Sequence, residues 1–224
     1  MSPRQYQMGK RREQVDESRR RVLDAARALL REGGSYTAFT VDAVAKRADV
    51  ARATVYYQFG TKTGLLEAVC DDIAEAGQMS GLAGAFTDPS PMAALREFVM
   101  VFGRFWAVDR TVMRRLRALA ALDPDVGAVI AARDARRLQG LTVLLSRFDG
   151  NRPESVTRML YALTSFETYD ALTGADGDLA AVAPLVADLA FAALGLANQA
   201  DIAANDPPSR PGGAAASGGG GTID

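Results

Sequence analysis

Residues 39–66 read FTVDAVAKRADVARATVYYQFGTKTGLL, and the spacing of apolar and turn residues in this stretch decides the fold. Thr40 stands at a helix start, where its hydroxyl caps free backbone N–H groups, and Phe39 before it is placed to staple onto Val44. Val41, Val44, Ala45 and Ala48 repeat at i, i+3, i+4 and i+7, one face of a short helix. The chain turns at Ala48-Asp49-Val50 and re-enters a helix through Phe59, with Val50 or Ala51, Val55 and Phe59 facing inward. Gly60 ends that helix, and Thr61 caps another whose Leu65, Leu66 and Val69 point inward. Upstream, Val22, Ala25, Ala26 and Leu29 form one face of a helix from about Asp16 to Glu32, with Gly33-Gly34 as its left-handed stop. Short helices joined by a tight turn describe a helix-turn-helix. Periodicity alone favours a small helical bundle with no nucleic-acid role.

The outward face separates these readings. With Val55 and Phe59 inward, Arg52, Ala53, Tyr56 and Tyr57 face out, with Thr54 and Gln58 beside them. Arginine forks onto guanine, while alanine or an aromatic edge meets a thymine methyl. Hydroxyls of Thr and Tyr suit phosphate oxygens. The alternative packs one tyrosine, Tyr57 first, against the first or fourth helix. Lys62 sits in the first turn of the following helix, where the dipole disfavours a cation unless a phosphate is bound there too. The Arg11-Arg12 and Arg19-Arg20-Arg21 clusters are a weaker sign, since most charge runs are solvated faces.

The same stretch resembles the DNA-binding signature of the TetR family of bacterial one-component regulators. Thr40, Ala45, Ala48, Val50, Thr54, Tyr56, Phe59, Lys62 and Leu65 stand where that pattern places them. The resemblance implies an all-helical homodimer, with the third helix of each subunit in a major groove and a larger C-terminal domain for a small effector. It implies that Arg52, Ala53 and Tyr56 read bases while Thr40, Thr54, Tyr57, Gln58 and Lys62 hold phosphates. Three departures weaken helix ends without removing a contact. Asp49 replaces a glycine, Ala51 replaces a capping serine at a cost of about 1 kcal/mol, and Thr63-Gly64 replaces an acidic pair.

The remaining composition agrees with a regulator and excludes much else. The 224 residues hold one cysteine and no histidine. Imidazole-based nucleophilic or metal sites, an intrachain disulfide and a CxxC pair are therefore ruled out. No catalytic constellation emerges and no cofactor is expected, so a helical cytosolic enzyme stays an unfavoured alternative. The net charge of -1 hides an asymmetry: residues 1–70 hold 13 basic and 8 acidic side chains, a net of +5, and the rest hold 13 and 19, a net of -6. A basic head on an acidic body calls for an anionic partner at the head. No apolar stretch reaches the roughly 18 residues of a membrane span, and the expected compartment is the cytoplasm.

The expected fold class is all-α: an N-terminal three-helix helix-turn-helix domain followed by a larger helical effector-binding and dimerisation domain. The boundaries are a flexible basic arm over 1–14, the head over 15–70, the body over 71–203 and a disordered Pro/Gly-rich tail over 204–224. Five further helices are expected, at about 91–108, 110–122, 125–148, 153–173 and 179–199. Phe98, Phe102, Phe105 and Trp106 share one helical face, and with Met113, Leu116 and Tyr161 they are candidates to line a pocket for an apolar or aromatic effector. Arg104 and Glu167 are the candidate polar contacts. A stripe of Leu185, Leu189, Ala192, Ala193 and Leu196 on the last helix suits a homodimer interface, and burial within the subunit is the alternative. Cys70, at the junction of head and body, leaves a redox-responsive regulator as a further alternative.

Overall fold

In the computed structural model, which describes residues 3–32, 39–149, 152–175 and 177–205, the order of elements is helical throughout. The side chains described are those of 12–32, 39–149, 152–175 and 177–195. The head comprises α1 (Pro3–Glu32), α2 (Val41–Arg47), α3 (Arg52–Phe59) and α4 (Lys62–Ala76). A 3-10 turn, Met79–Gly81, leads to α5 (Leu82–Thr87) and α6 (Pro91–Ala107). Next come α7 (Arg110–Ala120), α8 (Pro124–Leu145), α9 (Glu154–Leu163), α10 (Phe166–Thr173), a second 3-10 turn and α11 (Ala183–Asn205). Among the described residues there is no strand and no helix long and apolar enough to cross a membrane.

The inward faces predicted for the head are its core. Val22, Ala26, Val44, Val55, Leu65, Leu66 and Val69 are buried, as are Val41, Ala45 and Ala48. On α1 the stripe is rotated slightly, so that Leu30 is buried and Leu29 only half-buried. The turn between α2 and α3 puts Asp49 at φ +52, the left-handed conformation that glycine adopts without strain. Ala51 starts α3 with no side-chain cap, whereas the hydroxyls of Thr40 and Thr61 accept from Ala43 N and Gly64 N at 3.1 and 2.9 Å. Gly64 has its own reason to be glycine: a Cβ there would lie 2.1 Å from the Phe59 carbonyl oxygen.

Four expectations about elements need correction or fall outside the description. The first helix begins at Pro3 rather than near Asp16, since proline suits a first helical position and no breaker follows that ends the helix. The 153–173 helix is two helices. Thr164 turns its carbonyl to Trp106 Nε1 (3.1 Å) and its hydroxyl back to Leu160 O (2.9 Å), and Ser165 then caps α10 through Thr168 N (3.3 Å). Helix α5, with the sequence LAGAFT, was not among the expected helices. It forms where Ala85 is buried and Phe86 meets Phe98 edge-on at 6.5 Å. Gly33-Gly34 and the tail from residue 206 onward lie outside the described residues.

The head is tied to the body through the caps of two body helices. Asp109, buried, caps α7 through Val112 N (3.1 Å) and pairs with Arg31 of α1 at 2.5 Å. Arg27 of α1 stands 3.7 Å from the same carboxylate and 2.7 Å from Asp72 of α4. Asp123 caps α8 through Asp125 N and Val126 N, at 3.0 and 3.4 Å, and pairs with Lys62 at the start of α4. Within the body α6 is central. A Cβ on Gly103 would lie 2.7 Å from that of Ala183, so glycine sets the approach of α6 to the start of α11.

Candidate nucleic-acid interface and effector cavity

Helix α3 exposes a compact polar and aromatic face. Tyr57 is 86% exposed and Tyr56 39%, so neither tyrosine serves as core. Arg52 is held in place before any ligand arrives: its Nε lies 3.1 Å from Asp42, its Nη2 donates to the Tyr56 hydroxyl at 3.2 Å, and its guanidinium sits 5.4 Å from the Tyr56 ring centre. The Tyr56 hydrogen bond, and then the Asp42 charge, raise its pKa further. Ala53 is exposed beside it and Thr54 is half-buried. Thr40, exposed at the start of α2, uses its hydroxyl oxygen as a cap, which leaves the hydroxyl proton to donate.

Two predicted phosphate contacts are engaged inside the protein. Gln58 is half-buried, and its Nε2 donates to Ser18 Oγ of α1 at 3.2 Å. Arg19 reinforces that seam, donating to the Gln58 carbonyl at 3.3 Å with its guanidinium 4.5 Å from the Phe59 ring centre. Lys62 is paired with Asp123, and each side chain is 27% exposed. The hydrogen bond from Lys62, more than any other effect, holds the Asp123 carboxyl below its usual pKa. Sequence spacing placed both residues near the interface and had no means of showing these partners.

The body contains a cavity of about 260 Å³ between α4, α5, α6 and α8. Phe98, Phe102, Phe105 and Trp106 form one wall, as their helical spacing predicted. The opposite wall is α8, with Arg133, Asp134, Arg136, Arg137 and Gly140, and Ala74, Met79, Leu82 and Phe86 complete it. Sequence reasoning missed the α8 wall. The only signal available was the density of arginine over 133–137, which reads as a solvated face.

The other ligand candidates do not line this cavity. Met113 borders a smaller void of about 30 Å³ that shares Phe105, Trp106, Arg133 and Asp134. Leu116 is plain core. Tyr161 lies outside, with the Arg137 guanidinium 4.0 Å from its ring centre. Arg104 turns to Glu97 at 2.8 Å, and Glu167 lies 3.1 Å from Arg117. These three polar or aromatic groups are engaged within the subunit, which sequence spacing does not reveal.

Arg137 is the least exposed charge of the α8 wall, at 4%. Its Nη1 donates to Tyr161 O (2.6 Å) and Thr164 Oγ1 (3.0 Å), and its Nη2 to Asp134 (3.4 Å). Burial pulls its pKa down, against the raising effect of Asp134. Cys70 is buried, and desolvation pushes its thiol above the ordinary range, the opposite of a reactive thiolate.

On α11, Leu185 and Leu189 are 49% and 40% exposed, and Ala192 is exposed beside them. Ala193 departs from this stripe: it is buried in its own subunit, because it falls on the neighbouring edge of the helix that packs inward. The side chain of Leu196 lies outside the described residues.

Fold and site together define a class: an all-helical protein with a helix-turn-helix head and a larger helical body enclosing an apolar cavity. Residues 22–69 match the profile of bacterial regulatory proteins of the tetR family. The chain is 39% identical over 98 residues to the HTH-type transcriptional repressor KstR of Mycobacterium tuberculosis. That match covers 44% of this chain and 41% of the relative, so the chain spans less than half of that protein. The head therefore carries a domain of the tetR family, over residues 22–69. Similar solved folds include the transcriptional regulator FadR of Bacillus subtilis in complex with stearoyl-CoA, 18% identical with a TM-score of 0.58 over 76% of this chain and 96% of that one. Another is NalD of Pseudomonas aeruginosa, secondary repressor of the MexAB-OprM multidrug efflux pump, 19% identical with a TM-score of 0.58 over 80% and 97%. At these identities the likeness is one of fold.

Proposed function

We propose that the chain is a ligand-responsive transcriptional repressor. It binds a pseudo-palindromic operator in double-stranded DNA as a homodimer, in the cytoplasm, and a small, largely apolar or aromatic effector releases it. The observation that carries this reading is the outward face of α3, where Tyr57 is left almost wholly in water beside Tyr56 and a pre-positioned Arg52. Aromatic surface kept in water is disfavoured by folding alone and is accounted for by a partner. In this reading Arg52, Ala53 and Tyr56 meet base edges, and Thr40, Thr54 and Tyr57 meet phosphates. Lys62 reaches a phosphate by leaving Asp123, and Gln58 by leaving Ser18. The exposed Leu185, Leu189 and Ala192 meet a second copy, setting two α3 helices on half-sites about 34 Å apart. The units of this reading are head, body and tail, with residues 3–14, expected as a separate basic arm, continuous with α1 and with α4 running past the head boundary at residue 70 to bridge head and body. The aromatic cavity supports an apolar effector and lies against this bridging helix.

The test is a gel shift on the DNA flanking the chain's own gene, across a range of salt. Arg52→Ala should relax sequence preference. Lys62→Ala should weaken binding to all sequences and reduce the salt slope by about one. Gly140→Leu, whose side chain would enter the cavity past Phe86 and Phe98, should leave operator binding intact while abolishing release by ligand. Wild-type protein that binds this DNA no more tightly than random DNA refutes the reading.

A further inference from the structure

The cavity's two walls differ in chemistry, and the difference specifies more than an apolar ligand. The α6 wall is aromatic, while the α8 wall sets Arg133, Arg136 and Arg137 against a single acid, Asp134. Asp134 is also shared: Arg117 takes it at 2.5 Å, and Arg137 donates to it at 3.4 Å. Arg133 and Arg137 each keep a buried Nε–H with no acceptor. Among the described residues Arg136 donates within its own helix, to Ala132 O at 3.4 Å. Arg136 is exposed and Arg133 is paired outside the cavity with Asp71, but a neutral apolar molecule would fill the aromatic side and leave both buried Nε–H groups unanswered, which is costly away from water.

We infer that the effector is an amphipathic anion, with an aromatic or aliphatic body against Phe98, Phe102 and Trp106 and one acidic group on the Arg133–Arg136–Arg137 wall. The volume of about 260 Å³ equals roughly nine waters at about 30 Å³ each, room for a bicyclic body and a single headgroup. Forked guanidinium donors suit a carboxylate or a phosphate monoester alike. Arg133 gives the acid a route to the head, because its Nη2 also donates to Asp71 (2.6 Å) and to the Glu67 carbonyl (3.0 Å), both on α4. An anion in the cavity competes with Asp71 for this guanidinium and loosens the helix whose first turn carries Lys62. This inference rests on the cavity being the effector site.

The chain has a single tryptophan, and Trp106 lines the cavity, so its fluorescence reports occupancy directly. The probes are 2-naphthoate, 2-naphthyl phosphate and the neutral 2-naphthalenemethanol, titrated into the full chain. At least one acid should bind about tenfold or more tightly than the alcohol, and the tighter acid identifies the headgroup. Arg136→Gln, which breaks no tie to α4, should bring the acid down toward the alcohol and leave the alcohol unchanged. Asp71→Asn, at an exposed position, should tighten the acid several-fold by releasing Arg133. Equal binding of acid and alcohol, or no loss in Arg136→Gln, overturns the anionic headgroup while the effector site stands. Failure of all three probes to give a saturable change overturns both.

Discussion

Exchanging Asp123 for Asn tests how the DNA-binding head communicates with the body. The substitution keeps the cap of α8, because asparagine is as good an N-cap as aspartate and retains an oxygen for Asp125 N and Val126 N. It removes only the charge that holds Lys62. Both side chains are about a quarter exposed, so the pair belongs with partly screened surface bridges worth about 0.5–1 kcal/mol. For a chain of this length, that loss lowers the melting temperature by about 1–4 °C. On the proposed role of Lys62 as a phosphate contact, the same quantity opposes its recruitment by DNA, so its removal should tighten operator binding by about two- to fivefold. Fluorescence anisotropy with labelled operator reads this, and a cycle with Lys62→Ala isolates it: in the Lys62→Ala background the Asn substitution should change nothing. The pair also sets a pH dependence. Asp123 has a lowered pKa when folded, so its contribution is complete above the ordinary carboxylate range and is lost as pH falls through the lowered folded value. The melting difference between wild type and variant should therefore close on the acid side. A variant that melts lower as expected but binds operator no more tightly refutes the competition between Asp123 and phosphate for Lys62.

Three other outcomes follow from the packing. Gly103→Ala forces a methyl to within 2.7 Å of the Ala183 Cβ, and overpacking of this kind should cost about 1–3 kcal/mol in denaturant unfolding; a neutral result would show that α6 and α11 separate easily. Tyr169, fully buried with its hydroxyl donating to Val99 O at 2.8 Å, has a pKa well above the ordinary tyrosine value because of desolvation. Stability should fall as pH rises past the unfolded-state value of about 10, and Tyr169→Phe should flatten that slope in melting scans at high pH. Buried Cys70 should react with a thiol reagent only at the rate of unfolding, and Cys70→Ser should not alter DNA binding under oxidant; rapid labelling of the native protein would revive a redox role.

The head was legible in the sequence almost residue by residue. Its helices are short, their caps and stops are local, and each apolar face repeats within one or two turns. Val41, Val44, Ala45, Ala48, Val55 and Phe59 needed no tertiary information to be recognised as core. The left-handed turn at Asp49 and the missing cap at Ala51 were legible through the family resemblance, whose pattern has a glycine and a capping serine at those positions. The body was legible only as helices of approximate extent. Its Thr164-Ser165 break depends on a carbonyl turning to Trp106, 58 residues away, and α5 depends on Phe86 finding Phe98.

What the sequence by itself determined is the helix-turn-helix, the outward display of Arg52, Tyr56 and Tyr57, and the aromatic face of α6. Those properties follow from helical period and local capping, which act within a few residues. Only the tertiary structure decided where charge goes. It drew Lys62 to Asp123 and Gln58 to Ser18, turned Arg104 and Glu167 away from the cavity, and lined that cavity instead with arginines of α8. The Arg117–Asp134 and Arg31–Asp109 pairs join residues 17 and 78 positions apart, and which of many arginines meets such a distant carboxylate is fixed by how helices pack, not by any spacing along the chain.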